Sequence, residues 1–423
     1  MSQTQLDTPF LDGALRSTNY FNGRILSRED MQRDRDAQRA LNRRLGLGLG
    51  HGVVCGLEVT AKALGGSSVT APVVTVSAGM AVNRKGDTVA LSADVDVSLL
   101  QPAPATTTAA SPAAGGFDDC APLDDGVYVT GSGVYLLTVA PASATKGLAP
   151  VSGLGNAAAT CNAKEVVEGV QFRLFQVQLS NAELADTDHL QNVAAYKFLF
   201  ADGLGVDSIR DPYGTATAAA LLQPAPTDCD VPLAIFNWTA TGGLVWVDNW
   251  AARRRLAPAA AMERPLASRD ATRARAAEAA ALQFEEQVQS LFDGGEAMET
   301  TLATQVFRYL PAAGIAPLFG LGASRGFDRL TFLSNWTTRG PLYIEGAEVA
   351  PLLRASLDRP AIDLDPSDPQ KRQLIWLYLV RENLQAQGTG AQPYFLFASG
   401  QLPPFGRARL DVARAGFASV AVI

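Results

Sequence analysis

The chain has 423 residues, 47% of them hydrophobic and 18% charged, so it can bury sizeable cores and is not disordered as a whole. Its net charge of −7 argues against nucleic-acid binding, which requires a basic surface to displace counterions from phosphates. The 38 glycines and 24 prolines favour many turns and short strands over a helical bundle. We therefore expect a β-dominated α+β fold, with an N-terminal arm and helix, a β-sandwich-like domain and a mixed α/β C-terminal region.

An extended arm is predicted at the N-terminus, over residues 1–26, with a turn at Asn22-Gly23. A helix should follow it directly. Ser27 is a good N-cap, and Asp30 completes a capping-box-like start that places acids at the positive end of the helix.

The predicted helix is unusually polar. The glycine run at 46–52 is expected to end it near Leu45. Its thin apolar face consists of Met31, Ala37, Leu41 and Leu45. Arginines and aspartates occupy the rest of its surface, so the helix has little to bury in a domain of its own. We expect it to pack on a partner or to bridge domains.

Alternation of apolar and polar residues after the glycine run predicts a β-sandwich-like domain over residues 51–180. The predicted strands cover residues 53–60, 73–77, 80–83, 88–91, 95–99, 127–129, 134–140 and 170–179. Two stretches rich in small residues, 101–125 and 141–160, are expected to be long surface loops.

The remaining chain is predicted to divide into a linker helix and β-hairpin region at 181–265 and a C-terminal region, with a helical segment and a mixed α+β domain, at 266–423. With the docking arm and helix at 1–50 and the sandwich-like domain at 51–180, the chain is predicted to have four parts. The hairpin strands cover 233–239 and 244–250. Asp270 can cap a long helix to Phe292. Further strands are expected at 342–345, 374–380 and 394–398, with a helix at 349–357.

No catalytic, metal or cofactor site is predicted, so we expect a protein that is not an enzyme. The two histidines, His51 and His189, are isolated, and His51 lies in a glycine run without the lysine of a phosphate-binding loop. The chain has four cysteines: Cys55, Cys120, Cys161 and Cys229. Because they form no CxxC pair, we expect isolated, mostly buried thiols in a reducing cytosol.

A series of sequence blocks carries a family resemblance. The blocks are residues 19–26 (Asn-Tyr-Phe-Asn-Gly-Arg-Ile-Leu), 52–59 (Gly-Val-Val-Cys-Gly-Leu-Glu-Val), 76–82, 161–169, 231–239 and 247–255, with fainter ones at 307–311 and 406–411. They resemble proteins encoded in extracellular contractile injection system clusters and in some phage tail loci. The order of arm, charged helix and β-sandwich is also similar to the trimeric baseplate adaptor of type VI secretion and to the shoulder domains of phage receptor-binding proteins.

The resemblance implies that the arm docks to a partner. Asn19, Tyr20, Phe21 and Arg24 would then be contact residues, with the two aromatic rings as anchors in a groove of the partner. The alternative is that Tyr20 and Phe21 pin the arm onto the chain's own sandwich.

Further candidate contact residues are Arg33 and the run Arg253-Arg254-Arg255. Such a run is either a solvated strand end or an interface anchor.

The resemblance thus implies a structural component of a contractile particle, homo-oligomeric and trimeric, that contacts other particle subunits. No secretory signal or membrane span is predicted, so we expect synthesis and assembly in the cytosol, with exit as part of a released particle. An alternative is a carbohydrate- or surface-binding module. Its stacking platforms would be Trp238, Trp246, Trp250 and Trp336. A third, weaker alternative is a hydrolase cargo.

Overall fold

The computed structural model describes residues 15–69, 72–100, 120, 131–150, 161–200, 221–253, 256, 265–294, 297–365, 373–386 and 390–405. It has 31% helix and 36% strand, in several mostly antiparallel sheets. The prediction of a β-dominated α+β fold is therefore confirmed.

Helix α1 spans Arg28–Leu49 and begins as predicted. The Ser27 hydroxyl accepts a hydrogen bond from the Asp30 backbone N–H, and the Asp30 carboxylate accepts one from the Ser27 backbone N–H. The predicted end near Leu45 is wrong, because the helix continues into the glycine run. Gly46 is helical there and lies so close to the turn at Gly86 that a Cβ on it would stand 2.1 Å from the Gly86 carbonyl oxygen.

Two small antiparallel sheets follow. One contains β1 (Gly52–Gly56), β4 (Gly79–Val82) and β5 (Thr88–Leu91), and the other β2 (Val59–Ala61), β3 (Val73–Val76) and β6 (Val95–Ser98). The single strand predicted at 53–60 is thus two strands in different sheets. The chain changes sheet at Gly56 and Leu57, both of which have positive φ (57° and 58°).

The next sheet contains β7 (Gly133–Pro150), β8 (Cys161–Val177), β9 (Leu222–Gln223), β10 (Val231–Thr239) and β11 (Gly243–Asp248), in the antiparallel order β11-β10-β7-β8-β9. The predicted loop at 141–160 is wrong for residues 141–150, which extend β7. The strand predicted at 127–129 lies outside the described residues. Strands from the predicted second and third segments of the chain share this sheet, and the division into domains stays a prediction.

Both faces of this sheet are covered near its centre. One face packs on the two small sheets, and its core includes Tyr135, Leu137, Val139, Leu174 and Phe236. The other face packs on α3 (Leu190–Phe200), which follows the short α2 (Asn181–Ala185). Alternate residues of β7 supply the two cores, as the period of two in a strand requires.

The C-terminal region packs around a four-stranded sheet, β13-β17-β16-β14. Its strands are β13 (Ala313–Pro317), β14 (Thr338–Ile344), β16 (Ile375–Val380) and β17 (Tyr394–Ser399), and β14 runs parallel to β16. The other elements are α4 (Pro265–Gly294), α5 (Ala303–Val306), α6 (Arg329–Phe332), α7 (Gly346–Ser356), α8 (Arg381–Gln385) and the paired β12 (Tyr309–Leu310) and β15 (Ile362–Asp363). Helix α4 covers one face of the sheet and α7 the other.

The strands expected at 342–345, 374–380 and 394–398 and the helix at 349–357 are present, with shifts of a few residues. The helix expected to be capped by Asp270 begins at Pro265, so Asp270 lies within it. Proline is well suited to a first helical turn, because its missing N–H would have no partner there.

Helix α3 joins the two regions. The Asn192 side-chain oxygen accepts hydrogen bonds from the backbone N–H groups of Arg308 (3.0 Å) and Tyr309 (2.7 Å). The Asn192 side-chain nitrogen donates to the Tyr309 carbonyl at 3.1 Å, and the Tyr196 ring stacks on the Tyr309 ring with 3.5 Å between centroids. A buried asparagine with these bonds fixes the start of the C-terminal region against α3, which packs on the five-stranded sheet.

The prediction of isolated, buried thiols is wrong. Cys120 and Cys229 form a disulfide across 109 residues of sequence, and Cys55 and Cys161 are exposed. The sheet order explains the pairing. It places the start of β10 beside β7, one strand away from β8. The side chains of Gln171 and Arg173, both on β8, donate to the Cys120 carbonyl.

Candidate docking surface

The arm folds back on the first turns of α1. The Thr18 backbone N–H donates to the Asp34 carboxylate at 2.6 Å, and the Thr18 hydroxyl donates to the Asp30 carbonyl at 2.8 Å. The Tyr20 hydroxyl also donates to Asp34. The predicted turn at Asn22-Gly23 is present, with φ of 89° at Gly23. These contacts give the arm a defined path along the helix.

Asp30 is the centre of an ion-pair cluster at the base of the arm. Arg24 contacts its carboxylate at 2.6 Å and Arg33 at 3.1 Å, and a second Arg24 nitrogen donates to the Asn19 carbonyl at 2.6 Å. The hydrogen bond from the Ser27 backbone, followed by the charge of Arg24, holds the pKa of Asp30 below its ordinary value. Arg24 thus joins the arm to the helix, whereas Arg33 pairs with Asp30 within the helix.

The aromatic residues of the arm face outward. Tyr20 is 56% exposed and Phe21 63% exposed, and Arg24 lies over the Phe21 ring at 5.8 Å. The Asn19 side chain is exposed as well, and Ile25 is 92% exposed. Neither ring is buried in the β-sheet core, in contrast to the alternative in which they pin the arm onto the chain's own sandwich.

Besides its contacts with the arm, helix α1 packs on the β-sheet region of its own chain through the face that carries Arg39, Arg43 and Gly46. Gly46 lies against Gly86, Arg43 pairs with Asp87 at 2.5 Å, and Arg39 pairs with Glu168. The residues that make these contacts are three or four positions apart and so share a face. A polar cavity of about 300 Å³ lies between this face, β5 and Glu168.

A second face of α1 carries exposed leucines. Leu41, Leu45 and Leu49 follow one another at intervals of four residues and are all exposed. Asp30 and Asp34, which hold the arm, precede them at nearly the same angle around the helix. The arm and this leucine stripe therefore form one continuous surface, which we call the docking surface: residues 19–26 of the arm together with Leu41, Leu45 and Leu49.

The structure brings Asn19, Tyr20, Phe21 and Arg24 together in this surface, and Arg33 lies beside it, paired with Asp30. Arg253 lies elsewhere, and Arg254 and Arg255 are outside the described residues. Sequence reasoning missed Asp34. The available signal was its spacing of four residues from Asp30, which places both carboxylates on one helix face.

The Arg253 side chain is largely buried and bonds to residues of its own chain. Its guanidinium donates to the Gly56 carbonyl and lies 3.9 Å from the Glu58 carboxylate. It therefore supports the point at which the chain passes from β1 to β2. A small cavity of about 70 Å³ lies beside it, lined by Trp250 and by Arg275 of α4.

The histidines do not form a reactive cluster. Burial, with the positive charges of Arg84 and Arg275, lowers the pKa of His51 to about 4. His189 lies 2.8 Å from the Asp186 carboxylate and 3.0 Å from the Thr304 carbonyl, so it is a half-buried link between the start of α3 and α5. In the described part of the chain, no three His, Cys, Asp or Glu side chains are grouped as a metal site requires.

The tryptophans proposed as sugar platforms are not arranged for that role. Trp238 and Trp336 are buried in the two cores, and the Trp238 indole N–H donates to the Ser68 carbonyl at 3.4 Å. Trp246 and Trp250 are half-buried. A buried ring cannot offer a face to a sugar.

Among the described helices, none combines the length and the apolar character needed to cross a membrane. The chain matches no protein-family model and no curated protein.

Proposed function

We propose that this chain is a structural component of a phage-tail-like contractile injection particle and that it joins the particle through the docking surface. The supporting observation is that the arm is fixed by Asp30 and Asp34, in part through the Tyr20 hydroxyl, while the side chains of Tyr20 and Phe21 remain more than half exposed. Its role is mechanical rather than catalytic, and its partners are other particle subunits and further copies of itself, as a trimer.

The geometry suits binding because the arm is ordered before a partner arrives. A flexible terminus loses conformational entropy when it binds, and this loss reduces its affinity. Here the Asp30 cluster and the Asp34 contacts already hold the backbone, so the aromatic rings are presented on a defined support. Exposed aromatic residues on a rigid support are typical anchors of protein interfaces.

The leucine stripe extends the same surface along the helix. A solvent-facing helix surface with leucines at intervals of four residues is suited to another helix or to an apolar groove. The opposite face of α1 is already occupied by Gly86, Asp87 and Glu168, so the chain can keep α1 in place while the docking surface is covered.

The experiment compares two exposed phenylalanines. Phe21→Ala removes an anchor from the docking surface, whereas Phe319→Ala changes a 41% exposed phenylalanine in the C-terminal region. Each variant is expressed with the gene cluster that encodes the chain, and sheath-bearing particles are purified. We expect loss of the Phe21→Ala chain from particles and normal incorporation of the Phe319→Ala chain.

Normal incorporation of a Phe21→Ala, Leu45→Ala double variant would contradict docking through this surface. Absence of the wild-type chain from purified particles would contradict the proposed function itself.

A further inference from the structure

The two buried cysteines of the chain are joined, and the two exposed ones are not. Cys120 and Cys229 are 3% and 0% exposed and form the disulfide, whereas Cys55 and Cys161 are exposed thiols. The disulfide therefore joins residues 109 positions apart in the sequence and leaves the cysteines that solvent reaches most easily unpaired. Such a selective pairing indicates that the fold brings the two sulfur atoms together.

A turn before β10 fixes the position of Cys229. The Cys229 backbone N–H donates to the Thr227 hydroxyl at 3.3 Å, and this hydroxyl donates to the Asp230 carboxylate at 2.7 Å. The Asp230 backbone N–H donates to the Thr227 carbonyl at 3.0 Å. The turn at residues 227–230 is thus closed by its own hydrogen bonds.

Strand β8 fixes the position of Cys120. The Cys120 carbonyl accepts hydrogen bonds from the side chains of Gln171 at 2.9 Å and Arg173 at 2.5 Å. The Arg173 guanidinium also contacts the Asp230 carboxylate at 3.3 Å, so one side chain joins the backbone of Cys120 to the neighbour of Cys229. None of these bonds involves sulfur. They can therefore hold the two cysteines side by side while both are still thiols.

Burial protects the disulfide once it is formed. Cys120, Cys229 and Ala140 of β7 make a small buried cluster of their own. Reduction of a disulfide requires that a thiolate attack one of its sulfur atoms, so its rate depends on access to the bond. In the folded chain, that access requires a local opening of the structure.

The position of the disulfide in the sequence gives it a large effect on unfolding. It closes a loop across 109 residues. A cross-link over a long loop restricts mainly the unfolded chain, and a loop of this length favours the folded state by a factor of about 10²–10³.

We infer that Cys120 and Cys229 form a redox lock, which is open while the chain is in a reducing cytosol and closes when the folded chain meets oxidising surroundings. Thiol pools keep cysteine pairs reduced in the cytosol, whereas disulfides persist outside it. The closed lock would stabilise the chain after release. This inference does not depend on the particle role, since it concerns one chain and its surroundings.

Closure of the redox lock removes two electrons and two protons from the two thiols. The oxidant is a low-molecular-weight disulfide. The thiolate of one cysteine attacks it, which forms a mixed disulfide and releases one small thiol. The thiolate of the other cysteine then displaces the second small thiol and forms the bond between Cys120 and Cys229. Because the pair is buried, we expect closure to be slower than the reaction of the exposed Cys55 and Cys161.

The first test counts thiols in the full-length Cys55→Ser, Cys161→Ser chain, in which only the redox lock remains. The chain is expressed in a reducing cytosol, and one portion is alkylated at lysis. A second portion is first incubated with reduced and oxidised glutathione in the ratio typical of secretory compartments. By mass spectrometry in denaturant, we expect two alkylated cysteines in the first portion and an unmodified, disulfide-bonded chain in the second.

A disulfide already present at lysis would overturn the inference, because the lock would not then respond to its surroundings. Two alkylated cysteines or a glutathione adduct in the second portion would overturn it as well, because the pair would not then close.

The second test measures urea unfolding of the oxidised and reduced forms of the same chain. We expect the folded-to-unfolded ratio of the reduced form to be lower by a factor of about 10²–10³ at the same urea concentration. Circular dichroism without urea should show the same fold in both forms. If the Cys55→Ser, Cys161→Ser chain folds poorly, the wild type with and without reductant provides the same comparison.

The matched control is the Cys120→Ser, Cys229→Ser chain, which keeps the two exposed cysteines. It should unfold at the same urea concentration with and without reductant. Equal unfolding of the oxidised and reduced lock would overturn the inference, and so would an equal effect of reductant on the control.

Discussion

The same β-hairpin is a packed core in one half and a projecting ribbon in the other. Around residues 133–140 of β7, both faces are covered, and the side chains of Leu136 and Leu137 are buried on opposite sides. Beyond residue 140 the backbone pairing is unchanged, yet Leu148 and Val167 are exposed. Local pairing therefore does not determine burial, which depends on whether a third element lies on each face.

Ion pairs also differ between buried and exposed positions. Asp230 is buried and receives hydrogen bonds from Arg173, Thr138 and Thr227. The Lys62–Asp96 pair between the end of β2 and β6 lies in solvent instead. Buried pairs become strongly destabilising when one partner is lost, whereas solvent-exposed pairs contribute little. Four experiments test the difference between packed and exposed positions, from the largest expected effect to the smallest.

The largest effect is expected in the C-terminal core. Phe397 is fully buried against Phe284, with 5.3 Å between ring centroids, and its ring lies within 2.6 Å of where a Cβ on Gly314 would stand. Phe397→Ala should lower the free energy of unfolding by about 3–5 kcal/mol, because it leaves a cavity that the packed sheet cannot close. Urea denaturation measures this change. Tyr343→Ala, at a half-exposed position of β14, should change it by less than about 0.5 kcal/mol.

Loss of the buried ion pair between Arg173 of β8 and Asp230 is expected to lower the free energy of unfolding almost as much. Asp230→Ala leaves the Arg173 guanidinium buried without its carboxylate and removes the acceptor of Thr138. We expect a loss of about 3 kcal/mol or more in the free energy of unfolding. The matched control is Asp96→Ala, which breaks the exposed pair with Lys62 and should cost less than about 1 kcal/mol. Similar losses for both variants would contradict the contrast between the two environments.

Two glycines of α1 allow packed and exposed positions to be compared within one helix. Gly46→Ala places a Cβ 2.1 Å from the Gly86 carbonyl oxygen and should destabilise the chain by about 1–3 kcal/mol. Gly48→Ala meets no atom within 4 Å and should stabilise the helix by about 0.5–1 kcal/mol. Hydrogen exchange of α1 should therefore become faster in the first variant and slower in the second. A change in the same direction in both would mean that α1 does not pack through Gly46.

The smallest effect on the free energy of unfolding is expected from the Glu286 carboxyl group, which lies between α4 and β11. Burial, and then the charge of Asp248, raises the pKa of Glu286 from 4.5 to about 7. The folded chain thus keeps this proton up to about pH 7, while the unfolded chain releases it near pH 4.5. The stability contributed by the protonated group is greatest below pH 4.5 and declines as the pH rises to about 7.

The measurement is the difference in free energy of unfolding between the wild type and Glu286→Gln. This difference should fall by on the order of 1–2 kcal/mol between pH 4.5 and 7 and then stay level. The variant is needed because His51, with its pKa lowered to about 4, shifts the stability of both chains in the opposite direction. If this difference does not change with pH, the pKa of Glu286 is the same in the folded and unfolded chains, and the prediction is wrong.

Predictions that depend on neighbouring residues in the sequence are the ones that hold. The capping box at Ser27 and Asp30 and the turn at Gly23 are present. The hairpin strands predicted at 233–239 and 244–250 are present as well, at Val231–Thr239 and Gly243–Asp248. The β-dominated class follows from composition and alternation in the same way. Each of these rests on contacts within a few positions, so a short stretch of sequence contains the physical cause.

The features that depend on distant residues were not predictable. Gly46 stays helical because Gly86 lies against it, Cys120 meets Cys229 because β10 lies beside β7, and Asp34 holds Thr18 because the arm turns back. In the docking surface, the sequence therefore determined which residues occur in the arm and helix. Only the tertiary structure decided that their apolar side chains face outward, because exposure depends on where every other element packs.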